Sequence, residues 1–359
     1  MEIMMTNASQ ALSRPTNELP ERFGRFAVFA FIFLSVIAVR FAIPSAIVAD
    51  YDAYVQLADY LSFRPRNEWI SFEPLSSLLL VTLRQFTGSG YKAVAIAHIM
   101  LSVAYVAFVY KAVSIRDVTW QGILLSFGLY GSALAFVLLR GTPAYLLIVF
   151  ALIDAVNGRR RSALFALAAI GFHISALLAV PALLAAYLQN RSPIVARFFG
   201  GRAVVFLGAG LVLALSVASI PAFLEYTNIV IRTFSQFIGK YATYFETAND
   251  LEKGRLVGAA SNNHFYYTIV VSALVLFYLT CFEPKAIALR AYVVSSYVIF
   301  VVLSLSPVVA FRQSIFWVLP LVILFPWDKY AFRGFGTFFI ILASLGGFYF
   351  GVGSIIAPF

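Results

Sequence analysis

Cysteine is almost missing from this chain. Cys281 is its single thiol and lies inside an apolar run, so neither an intrachain disulfide nor a CxxC metal site can form. Charge is scarce as well: 12% of the 359 residues are Asp, Glu, Lys or Arg, against about 25% in a soluble domain. That shortage excludes an ordinary soluble enzyme, and the 62% hydrophobic content excludes a disordered chain. Acids are rarer than bases, 16 against 26, for a net charge of +10. In a soluble protein this surplus would point to nucleic acid. Here it sits in short loops between apolar runs, as in the cytoplasmic loops of membrane proteins, and no nucleic-acid partner is expected. Catalytic signatures are also missing. There is no GxxxxGK[ST] phosphate loop, no HExxH and no GxSxG elbow. No His/Cys/Asp cluster has metal-ligand spacing. ATP hydrolysis and zinc proteolysis are therefore not expected. No cofactor is predicted, with a divalent cation on the external acids left open.

What the chain does have is long apolar runs. They fall near 26–49, 91–111, 120–138, 142–157, 163–188, 203–224, 265–282, 286–309, 313–326 and 335–357, with a shorter one at 74–86. Residues 1–25 are polar and read as a cytoplasmic tail; residues 26–359 read as one polytopic membrane domain. The first run is long and lacks a small-residue cleavage site, so it reads as an anchor. There is no internal repeat and no low-complexity tract.

Basic loops at Gly158–Arg161, Arg191–Arg202, Lys285–Arg290 and Lys329–Arg333 should all be cytoplasmic. Simple alternation of full spans does not allow this. Two adjustments do. The run 74–86 lies at the interface or re-enters the membrane, and 163–188 breaks near Gly171-Phe172-His173, with Pro181 as a second weak point. The predicted fold is all-α: a polytopic integral membrane protein of about ten to eleven spanning or half-spanning helices. Residues 50–90 form an external segment, and 225–264 form the largest external loop.

The sparse polar residues then gather on the face opposite the basic loops. Asp50, Asp52, Glu68 and Glu73 are candidate general bases for a sugar hydroxyl, and spacing does not choose among them. Asp52, Gln56 and Asp59 could share one helix face. Arg140 and Arg312 each stand at an external helix end beside an apolar run. Two guanidinium groups so placed suit an anionic group such as phosphate. His173, at the proposed break, could bind diphosphate, relay a proton or hold an acid in place. In the large loop, Arg232, Tyr244 and Arg255 mix charge and aromatic character as glycan-binding surfaces do, and as solvated loops also do.

The order of these residues resembles the EpsG-like, Wzy-type polysaccharide polymerases. The resemblance runs through Asp50-Tyr51-x-x-Tyr54, Glu73-Pro74-Leu75, Arg140 entering an apolar helix, a basic turn, Phe172-His173-Ile174-Ser175-Ala176-Leu177, and Ala310-Phe311-Arg312. It spans roughly Asp50 to Pro326. Gly141 departs from it, standing where such proteins tend to have Gln. The resemblance implies a membrane glycosyltransferase of GT-C-like type in the bacterial inner membrane, with its active site facing the periplasm or the outside. It implies an undecaprenyl-diphosphate-linked oligosaccharide as substrate, in contact with membrane lipid, with a flippase and a chain-length regulator as partners. Asp50, Tyr54, Glu73, Arg140, His173 and Arg312 are the residues it carries over. The rival readings are an O-antigen ligase-type transferase and a lipid-linked glycan carrier. A carrier would need charges along a path through the bilayer, where Arg40, His98, Tyr105 and Asp154 are the main candidates.

Overall fold

The protein is described by a computed structural model covering residues 18–48, 50–65, 73–115, 118–189, 191–201, 204, 207–211, 271–276, 278–279, 287–303, 307–325, 327 and 335–356. Among the described residues every regular element is helical. The helices used below are α1 (Glu18–Ala42), α2 (Tyr51–Ser62), α3 (Pro74–Thr87), α4 (Gly90–Val113), α5 (Trp120–Ser126), α6 (Gly141–Val156), α7 (Arg161–Phe172), α8 (Val180–Gln189), α9 (Pro193–Gly200), α10 (Ile287–Leu303), α11 (Pro307–Leu324) and α12 (Phe335–Ile356). Two stretches, Arg22–Ala42 and Gly90–Val113, are long and apolar enough to cross a membrane; the other apolar helices described are shorter. The loop 225–264 and residues 1–17 lie outside the described residues. α1 begins at Glu18, inside the stretch expected to be tail. Pro20 falls in its first turn, where a missing N–H leaves no bond unmade.

Helix α6 forms the centre. Eleven of its 16 residues are buried, and α7, α8 and α11 pack around it. Helix α1 lies at the edge, with Phe23, Phe26, Leu34 and Phe41 all more than half exposed. Such exposure is costly in water and costs nothing against lipid tails. Polar side chains tie α1 to its neighbours. Arg25 donates to the carbonyls of Val113 and Ile115 at 3.1 and 3.2 Å, which answers the unpaired carbonyls at the end of α4. At its other end, Arg40 donates to the hydroxyls of Ser45 and Ser102 and to the carbonyls of His98 and Ala135.

Ala135 lies in an unusual stretch. After α5 the chain runs through two π-helical segments, Phe127–Gly131 and Ala133–Val137. The Leu138 N–H reaches back five residues to the Ala133 carbonyl at 2.9 Å. Wide turns disturb the helical ladder, and Ser102 and Arg40 both donate to the Ala135 carbonyl there. The first π segment packs backbone to backbone on α12. A Cβ at Gly128 would meet the Ser344 backbone at 2.4 Å, and one at Gly347 would meet the Gly128 carbonyl at 2.7 Å. Small residues permit this approach, as in membrane helix pairs generally.

The α6–α7 hairpin turns at Gly158, whose φ of +66° suits glycine. Buried Asp154 closes the turn by pairing with Arg159 at 3.3 Å and Arg161 at 3.5 Å. The 163–188 run breaks where the sequence predicts. Helix α7 ends at Phe172, His173 is extended, and a 3-10 turn spans Ile174–Ala179. Pro181 is no second break, because it occupies the first turn of α8. With 12 residues, α7 is about 18 Å long and too short to cross a hydrocarbon core of about 30 Å. Its last turn meets the first turn of α3, where the Ser76 hydroxyl donates to the Phe172 carbonyl at 2.7 Å and Leu75 covers Gly171.

Adjacent glycines on α12 test the backbone contact. Gly347→Ala should destabilise the protein by about 1–3 kcal/mol through overpacking. Gly346→Ala, where nothing lies within 4 Å of the added carbon, should be neutral or slightly stabilising. Thermal unfolding in detergent reads both; equal midpoints for the two variants would contradict the packing described.

Candidate functional site

Asp50 opens α2, and from it Ala53, Tyr54 and Leu57 follow at i+3, i+4 and i+7 on one helix face. This face lines a cavity of about 290 Å³. The opposite wall holds Leu138 and Arg140 from the end of the π-helical stretch, Gly141 and Tyr145 from α6, His173 from the break, and Arg312 from α11. Five of the predicted site residues, Asp50, Tyr54, Arg140, His173 and Arg312, therefore meet around one hollow. They come from four separate stretches of chain.

Glu73 stands behind this wall, 3% exposed, as the residue that precedes α3. Arg140 Nη1 donates to its Oε2 at 3.0 Å. His173 Nδ1 lies 2.5 Å from its Oε1, and the Ile174 backbone N–H donates to the same oxygen at 3.3 Å. Burial pushes the Glu73 carboxyl up. The hydrogen bond and charge of His173, the charge of Arg140 and the Ile174 N–H outweigh that and hold it below the usual carboxylate range. With Glu73 ionised, His173 Nδ1 carries the donated proton. The Arg140 guanidinium also lies 5.5 Å from the centre of the Tyr54 ring, over its face. Burial raises the Tyr54 phenol, while Arg140 works against that rise.

The structure separates the candidate acids. Asp50 lines the cavity and Glu73 is enclosed. Asp52 is exposed and absent from the cavity lining, because two residues along a helix turn a side chain by about 200°. Asp59 pairs with Arg84 at 2.5 Å, tying α2 to α3. Glu68, Arg232, Tyr244 and Arg255 lie outside the described residues. Sequence reasoning missed Tyr145, whose signal was its place four residues after Gly141, and the Ile174 N–H, which no side-chain pattern reveals. Among the described residues no group of three or more His, Cys, Asp or Glu side chains could hold a metal ion. Of the supposed midplane charges, Arg40 clasps neutral groups. His98 is wholly buried, its ring edge-to-face with Tyr51 and Tyr54.

Arg140, Arg312 and His173 thus line one recess of a bundle that is helical throughout its described residues and apolar enough to fit a membrane protein. The sequence pattern of the EpsG family matches residues 25–355, and the chain belongs to that family. The membership supports a polysaccharide polymerase-type function and association with a membrane. Nothing among the curated proteins or the solved structures matches the chain.

Glu73→Gln should lower the stability by about 1.5–3 kcal/mol at neutral pH, the worth of hydrogen bonds to a charged group. A depressed carboxylate contributes fully above its unfolded value and loses that contribution as pH falls through its folded value. The gap between wild type and Glu73→Gln should therefore stay constant above about pH 5 and close only below the ordinary carboxylate range. Unfolding midpoints measured in detergent across pH check this; a gap that closes near neutrality would contradict it.

Proposed function

We propose that this protein is a polysaccharide polymerase. It transfers a growing glycan from undecaprenyl diphosphate onto a hydroxyl of an incoming lipid-linked oligosaccharide repeat. The observation that carries the reading is the convergence of Arg140 and Arg312 on one cavity with Asp50, Tyr54 and His173. As the bond between sugar and diphosphate breaks, negative charge grows on the departing phosphate, and preorganised cations facing it lower the barrier. Arg140 is held from behind by Glu73, so it need not reorganise when charge develops. The acceptor hydroxyl must lose a proton, and a carboxylate within reach supplies the base. The energy of the donor bond drives the reaction, so neither ATP nor a nucleotide sugar takes part. The cavity opens to the outer side of the bacterial inner membrane, opposite the basic loops.

Purified protein in detergent, supplied with undecaprenyl-diphosphate repeats, should yield a ladder of products without any nucleotide. Arg140→Ala and Arg312→Ala should each cut the rate roughly 10²–10³-fold, as the loss of a group stabilising developing charge does. A folded wild type that moves the lipid-linked glycan across vesicles but extends nothing would replace the polymerase reading with a carrier.

A further inference from the structure

We propose that α9 is an in-plane membrane-surface helix that binds the headgroup of an anionic phospholipid through Arg191 and Arg197, on the side of the membrane opposite the cavity. The inference is independent of the polymerase reading and concerns a different part of the chain.

Charge along the chain is the first observation. No Asp or Glu occurs between Asp154 and Glu225, while Arg159, Arg160, Arg161, Arg191, Arg197 and Arg202 do. Asp154 pairs with Arg159 and Arg161. Among the described residues neither Arg191 nor Arg197 has a carboxylate partner. The second observation is where α9 lies. After His173, a 3-10 turn of six residues and the ten residues of α8 lead to Gln189. Laid end to end these rise about 27 Å, close to the thickness of one hydrocarbon core. The Ser192 hydroxyl then accepts from the Val195 N–H at 3.4 Å, and Pro193 takes the first position of α9, so a separate helix starts there. Beyond its far end the Arg290 guanidinium donates to the Gly201 carbonyl at 3.3 Å, which fastens α9 to α10.

The third observation is how the faces of α9 divide. Ser192, Val195, Ala196 and Phe199 stand at i, i+3, i+4 and i+7 and are half-buried, with α9 packed on α8 and α10. Ile194 and Phe198, four residues apart, face outward and are 82% and 50% exposed. Arg197, three residues after Ile194, is exposed beside that apolar stripe. Arg191, also exposed, stands just before the helix with its guanidinium 4.6 Å from the centre of the Tyr187 ring, over its face. An outward Ile and Phe flanked by two arginines suit the boundary between acyl chains and headgroups. The apolar side chains enter the tails, and the guanidinium forks match phosphate oxygens. A zwitterionic headgroup answers its phosphate with a cation of its own. An anionic headgroup leaves that charge for the arginines, and it is plentiful on the side where basic loops lie.

The full-length protein carrying Cys281→Ser and Ile194→Cys takes a single environment-sensitive fluorophore on α9. In vesicles of phosphatidylcholine and phosphatidylglycerol, nitroxide-labelled acyl chains should quench it and aqueous iodide should not. In detergent, phosphatidylglycerol should shift its emission to the blue at lower concentration than phosphatidylcholine does, and inorganic phosphate should shift nothing. Arg197→Gln should raise the phosphatidylglycerol midpoint about fivefold, and Arg191→Gln with Arg197→Gln about thirtyfold, the worth of one and of two arginines at an anionic surface. The phosphatidylcholine midpoint should not move. Equal midpoints for the two lipids, a midpoint that neither substitution moves, or a response to free phosphate overturns the site. Quenching by iodide puts water on the stripe, and quenching by neither agent puts a protein partner there; each overturns it as well. None of these readouts depends on the ladder assay, so the polymerase reading stands or falls separately.

Discussion

An ionised carboxylate buried in a chain this apolar is the constraint on which the rest depends. Unpaired, such a group carries a desolvation cost of several kcal/mol. Glu73 meets the cost by collecting Arg140, 67 positions away, and His173, 100 positions away. Those partners arrive only if the π-helical stretch delivers Arg140, the α7 run stops at Phe172, and α3 begins at Pro74. The same joint answers the backbone groups that the broken helix leaves open. The Ile174 N–H goes to Glu73, and the Phe172 carbonyl takes the Ser76 hydroxyl. Away from water, every such group must find a partner within the protein. The cavity and the joint between these helices thus rest on the same contacts, and Arg140 is positioned by the protein itself.

Much of this was legible in the sequence, for a physical reason. In a chain with so few charges, each polar residue beside an apolar run stands out, and Asp50, Arg140, His173 and Arg312 were found that way; Tyr54 came from the family resemblance. The break at Phe172-His173 was legible because one apolar run was too long for the charge pattern around it. The division of labour among the acids was not. Spacing along a sequence does not reveal which carboxylate lies opposite a guanidinium from a distant helix. The gap between Asp50 and Asp52 depends on helix phase, which is known only once the start of α2 is known. That start is set by a left-handed residue rather than by a capping side chain. The two π segments have no sequence period of their own, and the Gly128–Gly347 contact joins residues more than two hundred positions apart.

Arg40 and His98 show how polarity inside an apolar bundle can serve architecture. A carrier would have needed them in a charge path. Arg40 instead spends its donors on two hydroxyls and two carbonyls, joining α1 to α4 and to the π-helical stretch. His98 packs under the two tyrosines that seat α2. Neither lines the cavity; both tie together elements that do.

The π-helical stretch ahead of Arg140 behaves as an angular gear. Removing or adding one residue in an α-helix rotates everything beyond it by about 100°. Two wide turns therefore shift the bearing of Arg140 by a large part of a circle without lengthening the path much. Alterations to chain length between Ser126 and Leu138 would act on this protein as changes of direction, swinging a guanidinium toward or away from its carboxylate. The number of residues in this span therefore sets the direction of Arg140 as much as their identity does.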